Sequence, residues 1–273
     1  MLLSVSRPRF WIYLLGPALL GSVAALTSGG HWSWLGAFAL LVFTFPANLF
    51  LYGINDIFDI ETDRLNPKKQ GYEKTLNPKH AQHIIRWSIL GLLPFLIAFL
   101  LLPFSAILSV VLFLLLGAFY SAPPIRAKAR PFLDALFNIL YLFPGLTAWY
   151  TFGGGRLNVG LVFAAACWCM AMHAYSAVPD IEADRTAHLS TIATTLGKTK
   201  TLMVCAGLYA LSALFIYPVF GWPALVLGIV YIVLMGVSSR AQNQKLLKIY
   251  TFFPWLNTLV GMLLFLIILA RAW

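Results

Sequence analysis

The chain has 273 residues, 60% of them hydrophobic and only 10% charged. Soluble domains carry about 25% charged residues, so a soluble globular protein is excluded and an all-α polytopic membrane protein is expected. The net charge of +10 would suggest nucleic acid on a soluble chain, but here the bases fall in loops between apolar runs, where membrane topology accounts for them and no nucleic acid is needed.

In chain order, nine apolar runs are long enough to cross a bilayer, which takes about 20 residues. They cover 10–28, 34–54, 84–102, 104–120, 132–152, 157–178, 200–219, 222–239 and 250–270. The first run follows Arg7 and Arg9 and has the outline of a signal peptide, with Ser22-Val23-Ala24-Ala25 as a small-residue site. Charge sorting favours keeping it as a span. The third and fourth runs are divided at Leu102-Pro103-Phe104, because 84–120 is too long for one crossing. With nine spans, all but Arg156 and Arg271 of the 19 basic residues fall on one side. That asymmetry puts the N-terminus in the cytoplasm and the C-terminus outside, in the cell (inner) membrane. All nine acidic residues lie on the cytoplasmic side or at its edge, so chemistry is expected there. No soluble insert or long linker interrupts the chain, which reads as one transmembrane domain over 1–273. Cys167, Cys169 and Cys205 sit in apolar segments with no C-x-x-C and no nearby His pair, and read as small buried hydrophobes.

At the end of the second span stands Asn55-Asp56-Ile57-Phe58-Asp59-Ile60-Glu61-Thr62-Asp63-Arg64. Acidic groups beside hydrocarbon are costly and need a reason. On a helix, Asp56, Asp59 and Asp63 share one face, with Asn55 reaching it and Glu61 pointing elsewhere. Carboxylates so arranged repel one another unless a cation sits among them, and hard oxygen ligands suit Mg2+, which also takes water and substrate phosphates. A solvated acidic loop would be the alternative. A second stretch, Asp180-Ile181-Glu182-Ala183-Asp184-Arg185, repeats the first motif's Asp-Ile-Glu-x-Asp-Arg 121 residues later, again after a span. Such an echo often accompanies a site shared by two halves. Asp180 and Asp184 face the same way one turn apart. Together the two acidic clusters suit two or so divalent cations clamping a diphosphate.

Lys68 and Lys69 after the first cluster, and Arg126 and Lys128 after Tyr120-Ser121-Ala122-Pro123-Pro124, are able to serve phosphate oxygens. Each taken singly also reads as an ordinary positive-inside loop residue. The proline turn either re-aims Tyr120 toward the site or ends a span. Phe58, Tyr120 and Tyr175 offer rings to a cationic intermediate. His173 reads as a hydrogen-bonded helix residue rather than a base. No Gly-rich phosphate loop, nucleophile elbow or H-E-x-x-H is present.

These motifs resemble the UbiA superfamily of intramembrane prenyltransferases. Asn55-Asp56-x-x-Asp59-x-x-x-Asp63 matches the first aspartate-rich motif of that family. Tyr120-Ser-x-Pro-Pro with Arg126 and Lys128 matches its middle loop, and Asp180-x-x-x-Asp184 matches most of its second motif. Many members carry a further Asp where this chain has Ala177, which removes one ligand. The resemblance implies a bundle of nine transmembrane helices whose central cavity opens to the cytoplasmic side. It implies Mg2+-dependent transfer of an isoprenyl group from its diphosphate to a lipophilic acceptor within the bilayer. Asp56, Asp59, Asp63, Asp180 and Asp184 would hold the metal. Asn55, Lys68, Lys69, Arg126 and Lys128 would hold the diphosphate, and Tyr120 would act with Asp56, Asp59 and Asp180 in catalysis. Arg64-Leu65-Asn66-Pro67-Lys68-Lys69-Gln70-Gly71 and the stretch from His173 to Arg185 resemble the lycopene elongase branch, which adds five-carbon units to a carotenoid end. Aromatic, quinone or tetrapyrrole prenylation is the alternative within the superfamily. A cation transporter is the alternative from another class, disfavoured because the carboxylates cluster at span ends and not midway through the membrane.

Overall fold

The computed structural model describes residues 1–60 and 77–271, and among them every regular element is helical. In chain order the α-helices are α1 (Leu2–Val5), α2 (Ile12–Thr27), α3 (Trp34–Leu40), α4 (Phe45–Phe58), α5 (Ala81–Phe99), α6 (Phe104–Ser121), α7 (Leu133–Phe137), α8 (Phe143–Thr151), α9 (Val159–Ala177), α10 (Ile181–Thr186), α11 (Ile192–Phe220), α12 (Trp222–Arg240) and α13 (Asn243–Ala270). Short 3-10 turns join several of them. Seven stretches among the described residues are long and apolar enough to cross a membrane, or up to eight if the pair Leu2–Phe10 and Ile12–Thr27, bent by 57°, counts as one. The protein is therefore a multi-pass helical membrane protein.

The division expected near Pro103 is present: α5 ends at Phe99 and α6 starts at Phe104 behind Pro103 as its cap. The run expected at 132–152 is not among these seven or eight stretches. Residues 132–152 form α7, a 3-10 stretch over Asn138–Leu142, and then α8. Pro144 in the first turn of α8 lacks the N–H that would bond to the carbonyl four residues earlier, and its ring crowds that carbonyl. The tighter 3-10 turn takes up the mismatch. The described residues thus supply seven or eight crossings where nine are expected from the apolar runs.

Two compact units emerge. The first holds residues 1–125 and 143–157 and the chain from 261 on. In it α2 packs on α8, α4 packs on α5 and α6, and α1 packs on α4. The α2–α8 contact is close because glycine meets glycine: a Cβ at Gly21 would lie 2.1 Å from the Gly145 carbonyl oxygen. Small residues at such crossings let backbones approach without side chains between them. The packing of α1 on α4 brings the N-terminal turn to the acidic end of α4.

The second unit holds residues 126–142 and 158–260. Here α9 packs on α11, α11 on α12, and α7 on both α9 and α11. Its interior carries polar groups that satisfy one another. The Tyr231 hydroxyl donates to Asn257 Oδ1 at 2.8 Å, and Tyr175 and Ser238 hydroxyls meet at 2.9 Å. In an apolar bundle such pairs avoid unpaired buried polar atoms. Near its start α11 is interrupted at Gly197, whose φ of +74° suits glycine and strains other residues. The next residue, Lys198, donates to the carbonyl of Ala241 just past the end of α12, a favourable place for a cation.

The outward faces are strongly apolar. Ile89, Leu93 and Ile97 on α5, Leu214 on α11, Ile229 and Val233 on α12 and Trp255 on α13 are all exposed. On a soluble protein this would be an aggregation surface. On a membrane protein it faces lipid.

Candidate active site

The first acidic motif lies in the first unit. α4 is helical through Phe58, with Asp59 as its C-cap at φ −108° and ψ 3°. Asn55 and Asp56 therefore occupy the last turn of α4, and Asp59 closes it. Asn55 Nδ2 donates to Asp59 Oδ2 at 2.9 Å, so these two side chains share a face. Phe58 points outward and is exposed. Asp63, Glu61, Lys68 and Lys69 lie outside the described residues.

Asp56 is 3% exposed and Asp59 7%. Both stand at the C-terminal end of a helix, where the backbone dipole disfavours anions. Burial adds a second penalty, so these carboxylates need a cation. The structure supplies one that the sequence marks only as a topological charge. Arg7 Nη2 donates to Asp56 Oδ1 at 2.5 Å. The same guanidinium lies 4.7 Å from the centre of the Tyr52 ring, one turn earlier on α4. Arg7 holds a left-handed backbone at φ 49°, which costs energy for a non-glycine residue and is retained where its surroundings require it. No local pattern links residues 7 and 56. The only hint in the sequence is the physical demand of a buried acid for a partner.

The second motif lies in the second unit. α9, the 3-10 turn Val178–Asp180 and α10 run on without a break. Asp180 is the N-cap of α10 and Asp184 lies one turn on, both half-buried. Ala177 is buried beneath them. Glu182 meets Arg185 at 3.4 Å in an exposed pair, a contact worth little.

The bases after the proline turn fall in the same unit as the second motif. Arg126 is exposed with φ 45°, and Lys128 is buried in the turn Ala127–Ala129. That turn packs on α7, and α7 packs on α9. Tyr120 is half-buried in the last turn of α6 and belongs to the first unit. Tyr175, expected as a ring near the site, is instead fully buried, hydrogen-bonded to Ser238 and packed edge-on against Phe253 with centroids 4.8 Å apart. It is a packing residue.

Two further groups carry more than their sequence positions suggest. Asp134, in the first turn of α7, has no exposure at all. Its Oδ2 accepts from the backbone N–H of Ile192 at 2.9 Å and lies 3.5 Å from His173 Nε2. An acid within an apolar run is the available signal.

Among the described residues no three His, Cys, Asp or Glu side chains gather as a metal cage. The donor chemistry nevertheless suits a hard divalent cation. Asn55, Asp56 and Asp59 offer oxygens at a buried, electronegative helix end, and the pairing of Asp56 with Arg7 shows that this end accepts positive charge. Asp180 and Asp184 offer two more carboxylates. Oxygen-only sets of this kind bind Mg2+ through one or two carboxylates, with water and phosphate completing the shell.

The UbiA prenyltransferase family model matches residues 14–257. A lycopene elongase/hydratase from Haloarcula japonica is 40% identical, with 98% of this chain and 90% of the relative covered. A second, from Corynebacterium glutamicum, is 32% identical, covering 99% and 96%. Among solved structures, a UbiA homolog from Archaeoglobus fulgidus bound to DMAPP and Mg2+ superposes with a TM-score of 0.73 at 22% identity, covering 98% of each chain.

Proposed function

The chain belongs to the UbiA prenyltransferase family and is a prenyltransferase, and on that premise we propose that it transfers a dimethylallyl group from its diphosphate to the end of lycopene or a related carotenoid. The observation that carries this choice of acceptor is the identity of 40% to a lycopene elongase/hydratase across almost the whole chain. The donor is supported by the similar fold of a protein bound to DMAPP and Mg2+.

The proposed metal ligands are Asp56, Asp59 and Asp63 of the first motif and Asp180 and Asp184 of the second. Bound Mg2+ would supply the positive charge that makes diphosphate a good leaving group. Asn55 keeps Asp59 oriented through its amide hydrogen bond. Lys68, Lys69, Arg126 and Lys128 are the proposed partners of the diphosphate oxygens, Arg as a fork and Lys as a point charge. When the carbon–oxygen bond breaks, its electron pair leaves with the diphosphate and an allylic cation remains. Tyr120 offers a ring face to that cation. The terminal double bond of the polyene then supplies the electrons for the new carbon–carbon bond. The apolar helices keep water from the cation before the acceptor reaches it. The reaction is taken to occur in a central cavity open to the cytoplasm. The sequence charge asymmetry supports that orientation, with the N-terminus inside, the C-terminus outside and the chain in the cell (inner) membrane.

Expression in a lycopene-producing host tests the reading. The expected result is pigments heavier than lycopene by one or two isoprenyl units. Unchanged lycopene, with the protein inserted and dimethylallyl diphosphate present, contradicts it.

A further inference from the structure

The cation formed when lycopene attacks must lose a proton before an alkene product leaves, and the side chains proposed to hold the metal and the diphosphate are not assigned to that step. The second unit contains a base suited to the task. His173, Ala177, Asp180 and Asp184 follow one another at intervals of four, three and four residues along the unbroken run of α9, its 3-10 turn and α10. At helical spacing these positions share a face. His173 lies about 10 Å along the axis from Asp180, seven residues at about 1.5 Å each, on the side toward the interior of the span. The side chain at the intervening position is only the methyl group of Ala177.

His173 also has a buried acid beside it. Its Nε2 is 3.5 Å from Asp134 Oδ2, and its side chain keeps 12% exposure while that of Asp134 has none. Asp134 in turn sits at the N-terminus of α11 and accepts from the Ile192 N–H at 2.9 Å. An imidazole beside a buried carboxylate that is itself fixed by a backbone N–H is an arrangement that general bases use.

We propose that His173, positioned by Asp134, is the base that completes the reaction. This role rests on the prenyl transfer to a carotenoid end proposed for the chain. After the new carbon–carbon bond forms, the acceptor carries a tertiary cation. An imidazole lone pair of His173 takes a proton from the carbon beside the cationic centre. The electrons of that carbon–hydrogen bond become the new double bond. The imidazolium is stabilised by Asp134 until the proton passes to water as product leaves. Asp134 does not touch substrate and is a positioning residue.

The test is a product ratio measured on the full-length protein in lipid vesicles with lycopene, dimethylallyl diphosphate and Mg2+. The quantity read is alkene product formed per diphosphate released, which is independent of how much protein is folded. In His173→Gln this ratio is expected to fall at least about tenfold, with dimethylallyl alcohol or hydroxylated carotenoid in its place. Asp134→Asn keeps an oxygen for the Ile192 N–H but removes the charge beside His173. It should lower the same ratio to a smaller extent. An unchanged ratio in His173→Gln overturns the proposal, as does loss of diphosphate release itself, which would put His173 at ionisation. A lowered melting temperature in Asp134→Asn with the ratio unchanged reduces Asp134 to a structural role and overturns its part. Unextended lycopene with the unsubstituted protein contradicts the acceptor assignment instead, and is recognisable because it needs no substitution.

Discussion

Asp56 is the residue at which burial, helix polarity and charge conflict most sharply. It is almost fully enclosed at the negative end of α4, and Arg7 relieves the conflict by direct contact. Removing one partner of such a pair leaves an uncompensated charge, at a cost of about 3–5 kcal/mol. Arg7→Ala is therefore expected to lower the unfolding temperature in detergent markedly, while Arg7→Ala combined with Asp56→Asn should recover most of the loss. Additive losses in the pair would mean that the two residues do not act on each other. For function, Asp56→Asn and Asp180→Asn are close in shape but lack the anionic oxygens that the proposed metal needs. Diphosphate release should fall by at least about a hundredfold, within the range typical of lost transition-state charge stabilisation. Near-normal release from either variant would remove that aspartate from the ligand set. The candidate acids were legible in the sequence because their spacing is local. Arg7 was not, since its partner is 49 residues away. The Asp134–His173 contact was not, because it depends on how α7 packs on α9.

At the scale of elements, the apolar runs located most of the helices, and proline marked where one ends and another begins. The main departure from the expected spans is at 132–152, which composition registers as one apolar run and which passes from α7 through a 3-10 stretch into α8 next to Pro144. Hydropathy does not register a missing N–H. Nor does it register how closely two helices approach. Gly21 faces the backbone of Gly145, and any side chain there meets a carbonyl that cannot move aside as a flexible side-chain tip would. Replacing a mid-helix glycine by alanine normally gains about 1 kcal/mol of helix propensity. Here the clash is expected to outweigh that gain, so Gly21→Ala should lower the thermal unfolding temperature. An unchanged or raised temperature would show that α2 and α8 separate without cost.

For the molecule as a whole, an apolar surface facing lipid, helices with internal polar pairs and acids at helix ends combine in one chain whose family is that of intramembrane prenyltransferases. The general class followed from composition, because a chain with so few charges has no other solvent to live in. The identity of the acceptor did not follow from any single residue, since the same acids serve any isoprenyl diphosphate. The most direct measurement of the proposed reaction uses purified protein in vesicles containing lycopene, supplied with isotopically labelled dimethylallyl diphosphate and Mg2+, with and without a chelator. The expected result is label in a carotenoid heavier than lycopene by five-carbon units, abolished by the chelator and restored by added Mg2+. Labelled carotenoid formed equally well in the chelator, or label found only in the alcohol, would contradict Mg2+-dependent prenyl transfer to the carotenoid.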